Sequence, residues 1–377
     1  MKTNFVKLRW LFTMLLFVTT MIMPTMMLAK SIDLKIPEGD GAGTPYKIGT
    51  AEELYWFAGL VNGTLPGVKK DLSANAILTD DIIVNTGVLD PNKDLVSGND
   101  FIEWIPIGKS SSDDDAYTGT FDGNGHTISG LYFNKSNSWY VGLFGCIGAE
   151  GKISNVGVSD SYFQSSNCPY IGGVCGSNSG ELQNCSNSST VIGKENEYRI
   201  GGVCGYNSGT VKDCKNTGSV RGKETIGGVC GNNSGTIKSC YNTASVSGQY
   251  SVGGVCGDNY EGPITNCYYL SGTVADGKGG IGGKDDENGK AVEMSKDRFK
   301  SGEVAWLLNG SKSVSTEEST LAWYQKLGEN ADAYPVLTST GDNTVYGGYQ
   351  HGSRVRFFSN TVQHSTGECK LNCVKLQ

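Results

Sequence analysis

A six-residue box recurs along the middle of the chain. Ile171-Gly172-Gly173-Val174-Cys175-Gly176 returns at Ile200–Gly205 and Ile226–Gly231, and with Val for Ile at Val252–Gly257. From Cys to Cys the spacings are 29, 26 and 26 residues. A near-constant period of this length signals stacked repeats, because so short a unit cannot bury its own apolar face and must bury it against a neighbour. The first three boxes run into the turn-like segments Ser177–Gly180, Tyr206–Gly209 and Asn232–Gly235. A second Cys then follows at Cys185, Cys214, Cys240 and Cys267. A divergent copy precedes them, with Val141-Gly142-Leu143-Phe144-Gly145 as its box and Ile153-Ser154-Asn155-Val156 as its second half.

Each unit has β-branched residues at its apolar positions and no 3.6-residue stripe, so it reads as two or three short strands. The Asn-Ser-Gly segments are taken as corners, supplying residues that tolerate the left-handed region. The expected fold is all-β, a right-handed parallel β-solenoid with short helical capping segments at both ends. Five units at a strand spacing of about 4.8 Å would stack to roughly 20–25 Å.

Composition narrows the function classes. Gly accounts for 54 of 377 residues, while hydrophobic residues are 38% and charged residues 18%. Aromatics at 10% are too many for a disordered chain. A net charge of −7 argues against nucleic acid as a partner, since phosphate binding needs a basic patch.

Residues 1–29 read as a signal peptide, with Lys2, Lys7 and Arg9 ahead of an apolar run from Trp10 to Ala29. An uncleaved signal anchor is the competing reading, because the run is long enough to span a bilayer. After cleavage no membrane insertion is expected. Residues 30–74 are a leading segment with a capping helix. Thr50 and Glu53 form a capping box, Leu54, Phe57, Ala58 and Val61 share one helical face, and Asn62-Gly63 stops the helix. The helix is placed across the open end of the stack.

Residues 75–270 form the solenoid, with the repeats over about 141–267. Ile82–Val84 and Trp104–Ile105 read as early strands, and Gly119–Ile128 as strand, tight turn, strand. Residues 271–345 are a loop, mobile over 271–293, followed by a C-terminal capping segment helical over Arg298–Leu308. Residues 346–377 form a tail to which the sequence assigns no structure.

The Gly-Gly-Val-Cys-Gly boxes, with their Asn-Ser-Gly and Asn-Cys followers, resemble the GLUG repeat of bacterial surface proteins. The flanks fit the resemblance: Thr50–Ala58, Trp104–Gly108 and Tyr117–Ile128 on one side, Phe299–Asn309, Trp323–Gln325 and Tyr334–Leu337 on the other. It covers roughly residues 45–340. The same repeat accompanies IgA-protease-type metallopeptidases and large adhesin-like proteins, so the resemblance implies architecture more than chemistry.

Candidate chemistry begins with the twelve cysteines, ten of them between Cys146 and Cys267. Cys175, Cys185, Cys204, Cys214, Cys230, Cys240, Cys256 and Cys267 are assigned to the repeat core. Phe144 and Val156 occupy the equivalent slots of the divergent copy, which marks those slots as interior. Equivalent Cys on adjacent coils would have Cβ atoms about 4.8 Å apart, wider than the roughly 3.8 Å of a disulfide. Buried free thiols are therefore expected, with a bridge inside one repeat, such as Cys204 to Cys214, as the alternative that an exported chain allows. No repeat Cys pair has zinc-site spacing. Cys369 and Cys373 read as a tail disulfide or no bond.

The three histidines are His126, His351 and His364, and neither H-E-x-x-H nor G-x-S-x-G occurs. Asp122 and His126 flank a Gly-Asn-Gly turn and read as turn residues, since a general base needs a partner and a substrate pose. Asp113–Asp115 and Asp285–Glu287 lack the alternation of a calcium loop and read as solvated charges. No catalytic residue, cofactor or metal site is expected. Tyr206, Tyr241, Tyr250 and Tyr260 are the candidate ligand-facing residues, since tyrosine rings stack on sugars.

The expected protein is therefore a non-enzymatic adhesin-like binding or display scaffold, secreted or at the cell surface. Glycans or host matrix proteins are its expected partners. A polysaccharide-active β-helix enzyme and a structural accessory of a larger surface system are the alternatives.

Overall fold

A computed structural model describes residue 30 and residues 32–359, except 99, 111, 113, 168, 195–197, 276–277, 283–289, 312–320, 329, 341–342 and 352–353. Residues 1–29, read from sequence as a signal peptide, Cys168, Asp113, Asp285–Glu287, His364 and the Cys369/Cys373 pair lie outside the described residues.

The chain from residue 32 onward is built around a β-solenoid whose strands pair in parallel from coil to coil. One repeat coil shows the plan. Tyr198–Gly201 lies in sheet I, Cys204–Asn207 in sheet II, Thr210–Lys212 in sheet III, and Lys215–Asn216 with Val220–Arg221 in sheet IV. Sheets I and II have five strands each, sheet III eight and sheet IV eleven. Eight rungs of sheet III span about 34 Å, more than the five units visible as repeats.

The register superposes the repeats residue by residue. Phe144, Cys175, Cys204, Cys230 and Cys256 form one column, and Ile153, Leu182, Val211, Ile237 and Ile264 another. Val141, Ile171, Ile200, Ile226 and Val252 form a third. All are buried, and together they make the core. Phe144 stands where later coils have Cys175 and its equivalents, so a larger apolar side chain fills the same interior slot.

Backbone crowding explains the box glycines. A Cβ on Gly201 would lie 2.0 Å from Cys204 O, and one on Gly202 would lie 2.2 Å from both Gly228 O and Asn216 Cγ. The corners differ from the sequence expectation. Asn178, Asn207 and Asn233 are buried strand residues, not left-handed corners. The left-handed residues are Asn155, Asn184, Asp213, Ser239 and Asn266, each just before the second-Cys slot, with φ of 52–55°. The Asn of the Asn-Ser-Gly segment instead joins an amide ladder: Asn178 Nδ2 donates to Asn207 Oδ1, Asn207 to Asn233 and Asn233 to Asn259, each at 2.8 Å. A second ladder, Asn187 to Asn216 to Asn242, has the same 2.8 Å spacing.

The leading helix α1 (Ala51–Asn62) forms as its signals require. The Thr50 hydroxyl accepts from Glu53 N, Glu53 Oε2 accepts from Gly49 N, and Gly63 ends it at φ 65°. Leu54, Phe57, Ala58 and Val61 are buried, and Phe57 packs against Tyr117 and Phe121 of the first coils.

Several boundaries move. Trp104–Ile105 is not a strand; only single bridges at Glu103 and Ile107 form there. Thr120–Asp122 and Thr127–Ser129 do not pair with each other but enter sheets III and IV, so the Asp-Gly-Asn-Gly turn is a coil corner and not a hairpin. The stack also continues past residue 270. Gly280 O accepts from Val255 N and Cys256 N, and Ala291–Met294 pairs in parallel with Cys267–Leu270. The degenerate Gly279-Gly280-Ile281-Gly282 thus takes the place of a box.

The trailing segment forms two helices, α2 (Lys296–Lys300) and α3 (Glu303–Leu308), broken where Gly302 takes φ 84°. It lies against the outer face of sheet IV: Phe299, Val304, Leu308 and Trp323 bury Tyr241 and Tyr268. Within the tail, Val345–His351 and Arg354–Ser359 pair as an antiparallel hairpin.

Candidate ligand-binding face

The outward columns of a solenoid present equivalent positions at every rung, and on the earlier coils those of sheets I and II carry Tyr140, Tyr170 and Tyr206. Tyr140 and Tyr170 stand opposite each other in sheet I, immediately before their boxes. Their rings stack at 5.0 Å between centroids with planes 6° apart. At the same place on the next coil stands Arg199, whose guanidinium carbon lies 5.1 Å from the Tyr170 centroid and 5.8 Å from that of Tyr206. Tyr170 and Tyr206 are tilted at 56° and 5.8 Å apart. Cation–π attraction holds this cluster together without burying its polar ends. Trp139, beside Tyr140, is 66% exposed.

Of the four tyrosines singled out from sequence, Tyr206 belongs to this cluster, and its Oη shares a 3.2 Å hydrogen bond with Ser234 Oγ. Tyr250 and Tyr260 are exposed but make no ring contact among the described residues. Tyr241 cannot face a ligand. It is fully buried under the trailing segment, and its hydroxyl donates to Pro335 O at 2.6 Å. Burial pushes its phenol well above the ordinary range. Trp139, Tyr140, Tyr170 and Arg199 were missed, although the residue before each box was there to be compared once the boxes were aligned.

The eight repeat cysteines are buried, and the nine described cysteines are free thiols. Cys175, Cys204, Cys230 and Cys256 each donate to the carbonyl two residues on, at 2.8–3.1 Å. Burial is the main force raising Cys175, Cys230 and Cys240 above the ordinary thiol range. At Cys204 and Cys214 burial again opposes the charge, while the polar surroundings, the thiols of the adjacent rungs among them, lower these two. None is accessible to a substrate, so the thiols are structural.

Asp122 caps its own turn, accepting from Asn124 N and from Asn155 Nδ2, both at 2.9 Å. The partner of His126 is Asp81, at 3.4 Å, not Asp122. Among the described residues, no group of three or more His, Cys, Asp or Glu side chains converges as a metal site.

Comparison with known proteins agrees with the architecture. The family model of the GLUG motif matches residues 196–221, one coil of the stack. The chain carries the GLUG motif. Over 84 residues it is 38% identical to Halomucin of Haloquadratum walsbyi, a match covering 22% of this chain and 1% of that protein. Over 78 residues it is 33% identical to the "Putative Gly-rich membrane protein" of Evansella cellulosilytica, covering 20% of this chain and 9% of that protein. The chain thus spans only a small part of either relative's length. A crystal structure described as "a putative immunoglobulin A1 protease from Bacteroides ovatus" superposes with a TM-score of 0.53 at 21% identity, covering 80% of this chain and 98% of that one. At that identity the likeness is one of fold.

Proposed function

We propose that this GLUG protein is an exported, non-enzymatic surface repeat protein that binds glycans or host matrix proteins through the aromatic face of sheets I and II. The observation that carries the reading is the Tyr140–Tyr170–Arg199–Tyr206 cluster, half-buried rings and a guanidinium stacked over three successive coils, with the exposed Trp139 beside it. Such a platform suits weak contacts repeated along a polymer, where avidity multiplies modest single-site affinity. The names of the two relatives, a mucin-like protein and a membrane protein, support a surface location. Among the described residues no helix is long and apolar enough to cross a membrane.

The test is binding of the full chain to an array of glycans and matrix proteins. The expected result is a glycan or matrix ligand whose binding falls about tenfold in Tyr170→Ala with Tyr206→Ala, from the loss of two stacking contacts. Cleavage of a polysaccharide or peptide that disappears in Asp122→Ala or His126→Ala would replace this reading with the enzyme.

A further inference from the structure

The trailing segment covers only the later rungs of sheet IV, and where its cover ends a cleft of about 700 Å³ opens. The floor is one outward column, Thr127, Gly157, Ser186 and Lys215, neighbours by register. The next residues of that column, Tyr241 and Tyr268, are buried by the trailing segment. Gly157 keeps the floor shallow, since a Cβ there would stand 2.8 Å from Thr127 Oγ1 and 3.2 Å from Ser186 Oγ. The facing wall includes Asp332, Val336 and Leu337 of the trailing segment.

Two groups in this cleft lack partners among the described residues. The Lys215 side chain forms no ion pair or hydrogen bond there, and its burial lowers its proton affinity, with Asp332 the one carboxylate acting on it from a distance. Asn184 Oδ1 is buried at the wall without a hydrogen-bond partner, while its Nδ2 donates to Asn155 Oδ1 at 3.0 Å. A half-buried cation without a close counter-ion carries a desolvation cost that a ligand carboxylate would offset.

We propose that this cleft binds one acidic sugar unit, a hexuronate, with its carboxylate on Lys215 and its hydroxyls on Ser186, Thr127 and the Asn184 amide. The volume admits one or two pyranose rings, and Val336 and Leu337 provide an apolar wall for a ring face. A phosphate fits less well. The second lining lysine, Lys326, already has a partner, and the Asp332 carboxylate opposes a dianion. The site lies on sheet IV, apart from the tyrosine face, and stands whether or not that face binds.

The experiment is isothermal titration of the full chain with digalacturonate, its methyl ester and sulfate. Digalacturonate binds, and the ester binds at least tenfold more weakly, the weight of one charge-assisted hydrogen bond. Sulfate at equal concentration does not displace it. Lys215→Met lowers affinity at least tenfold, and Ser186→Glu does the same by placing a carboxylate on the rung beside Lys215. Far-UV circular dichroism of both variants matches the parent, and Tyr170→Ala leaves the titration unchanged. The proposal is overturned by equal binding of the ester, by full affinity in either folded cleft variant, by displacement with sulfate alone, or by no heat of binding at a ligand concentration of about 10 mM.

Discussion

Replacing Asp213 by Asn should stabilise this protein, and more so as pH rises. Asp213 holds the left-handed corner before a second-Cys slot, at φ 52°, where the equivalent coils have Asn155, Asn184, Ser239 and Asn266. The residue is only 4% exposed, and burial raises its carboxyl from 3.8 to about 6, the nearby Lys212 and Lys238 only partly opposing it. A carboxyl with a higher pKa in the folded state favours folding while protonated. Its contribution is fully present below pH 3.8 and is lost as pH rises through about 6. The shift of about 2 units corresponds to about 3 kcal/mol, and this already includes the attraction of Lys212 at 3.4 Å. The loss is about 1 kcal/mol at pH 4.5 and about 3 kcal/mol at pH 8. Asn removes the titration and suits the backbone conformation. It also offers a donor toward the unpartnered Asn184 Oδ1, extending the chain of bonds from Asn184 to Asn155 to Asp122. Urea unfolding followed by circular dichroism at pH 4.5 and pH 8 measures the effect. The expected gain is about 2–3 kcal/mol at pH 8 and about 2 kcal/mol less at pH 4.5. A gain of equal size at both pH values, or none at pH 8, would refute the reasoning.

Three other outcomes follow from the same geometry. Asn207→Ala removes a buried ladder member and strands Asn233 Oδ1, a cost of about 2–4 kcal/mol; in a double-mutant cycle with Asn233→Ala the two losses should sum to more than the double variant shows. Gly202→Ala forces a Cβ to within 2.2 Å of Gly228 O, a backbone atom, so the coil should open locally and the variant should show reduced hydrogen-exchange protection around residues 200–230. Alkylation of the denatured, unreduced protein should label the nine described cysteines, and intact bridges between Cys of one repeat would contradict the buried-thiol structure.

The stack was legible because its inward columns repeat. Ile200, Cys204, Val211 and Cys214 recur at one period, and register then follows from the need to bury each on its equivalent. The amide ladders were not. Asn-Ser-Gly is an equally good corner signal, and nothing in one copy distinguishes an Asn that turns the chain from an Asn that bonds to its equivalent on the next coil. Only the vertical repeat, Asn178 over Asn207 over Asn233, makes the ladder possible. The added coil over residues 279–294 was hidden because Gly279–Gly282 keeps the crowded glycines of the box and not its Cys.

The misplacement of Tyr241 shows where binding sites on such a stack can and cannot be. Tyr241 occupies the same outward column as Lys215 and Ser186, so the solenoid alone would expose all three. The trailing segment decides between them by folding back along sheet IV and placing Phe299 and Trp323 on Tyr241. Lys215, one rung earlier, is left at the edge of that cover. The inward columns are fixed by packing and have no freedom to acquire a ligand. Outward residues do have that freedom, but a long-range contact from residues 296–337 determines which of them meet solvent, and no local pattern around residue 241 encodes that contact. On sheet I, Tyr140, Tyr170 and Arg199 stay half-buried, so a functional face on this stack is an outward column minus whatever its own flanks conceal.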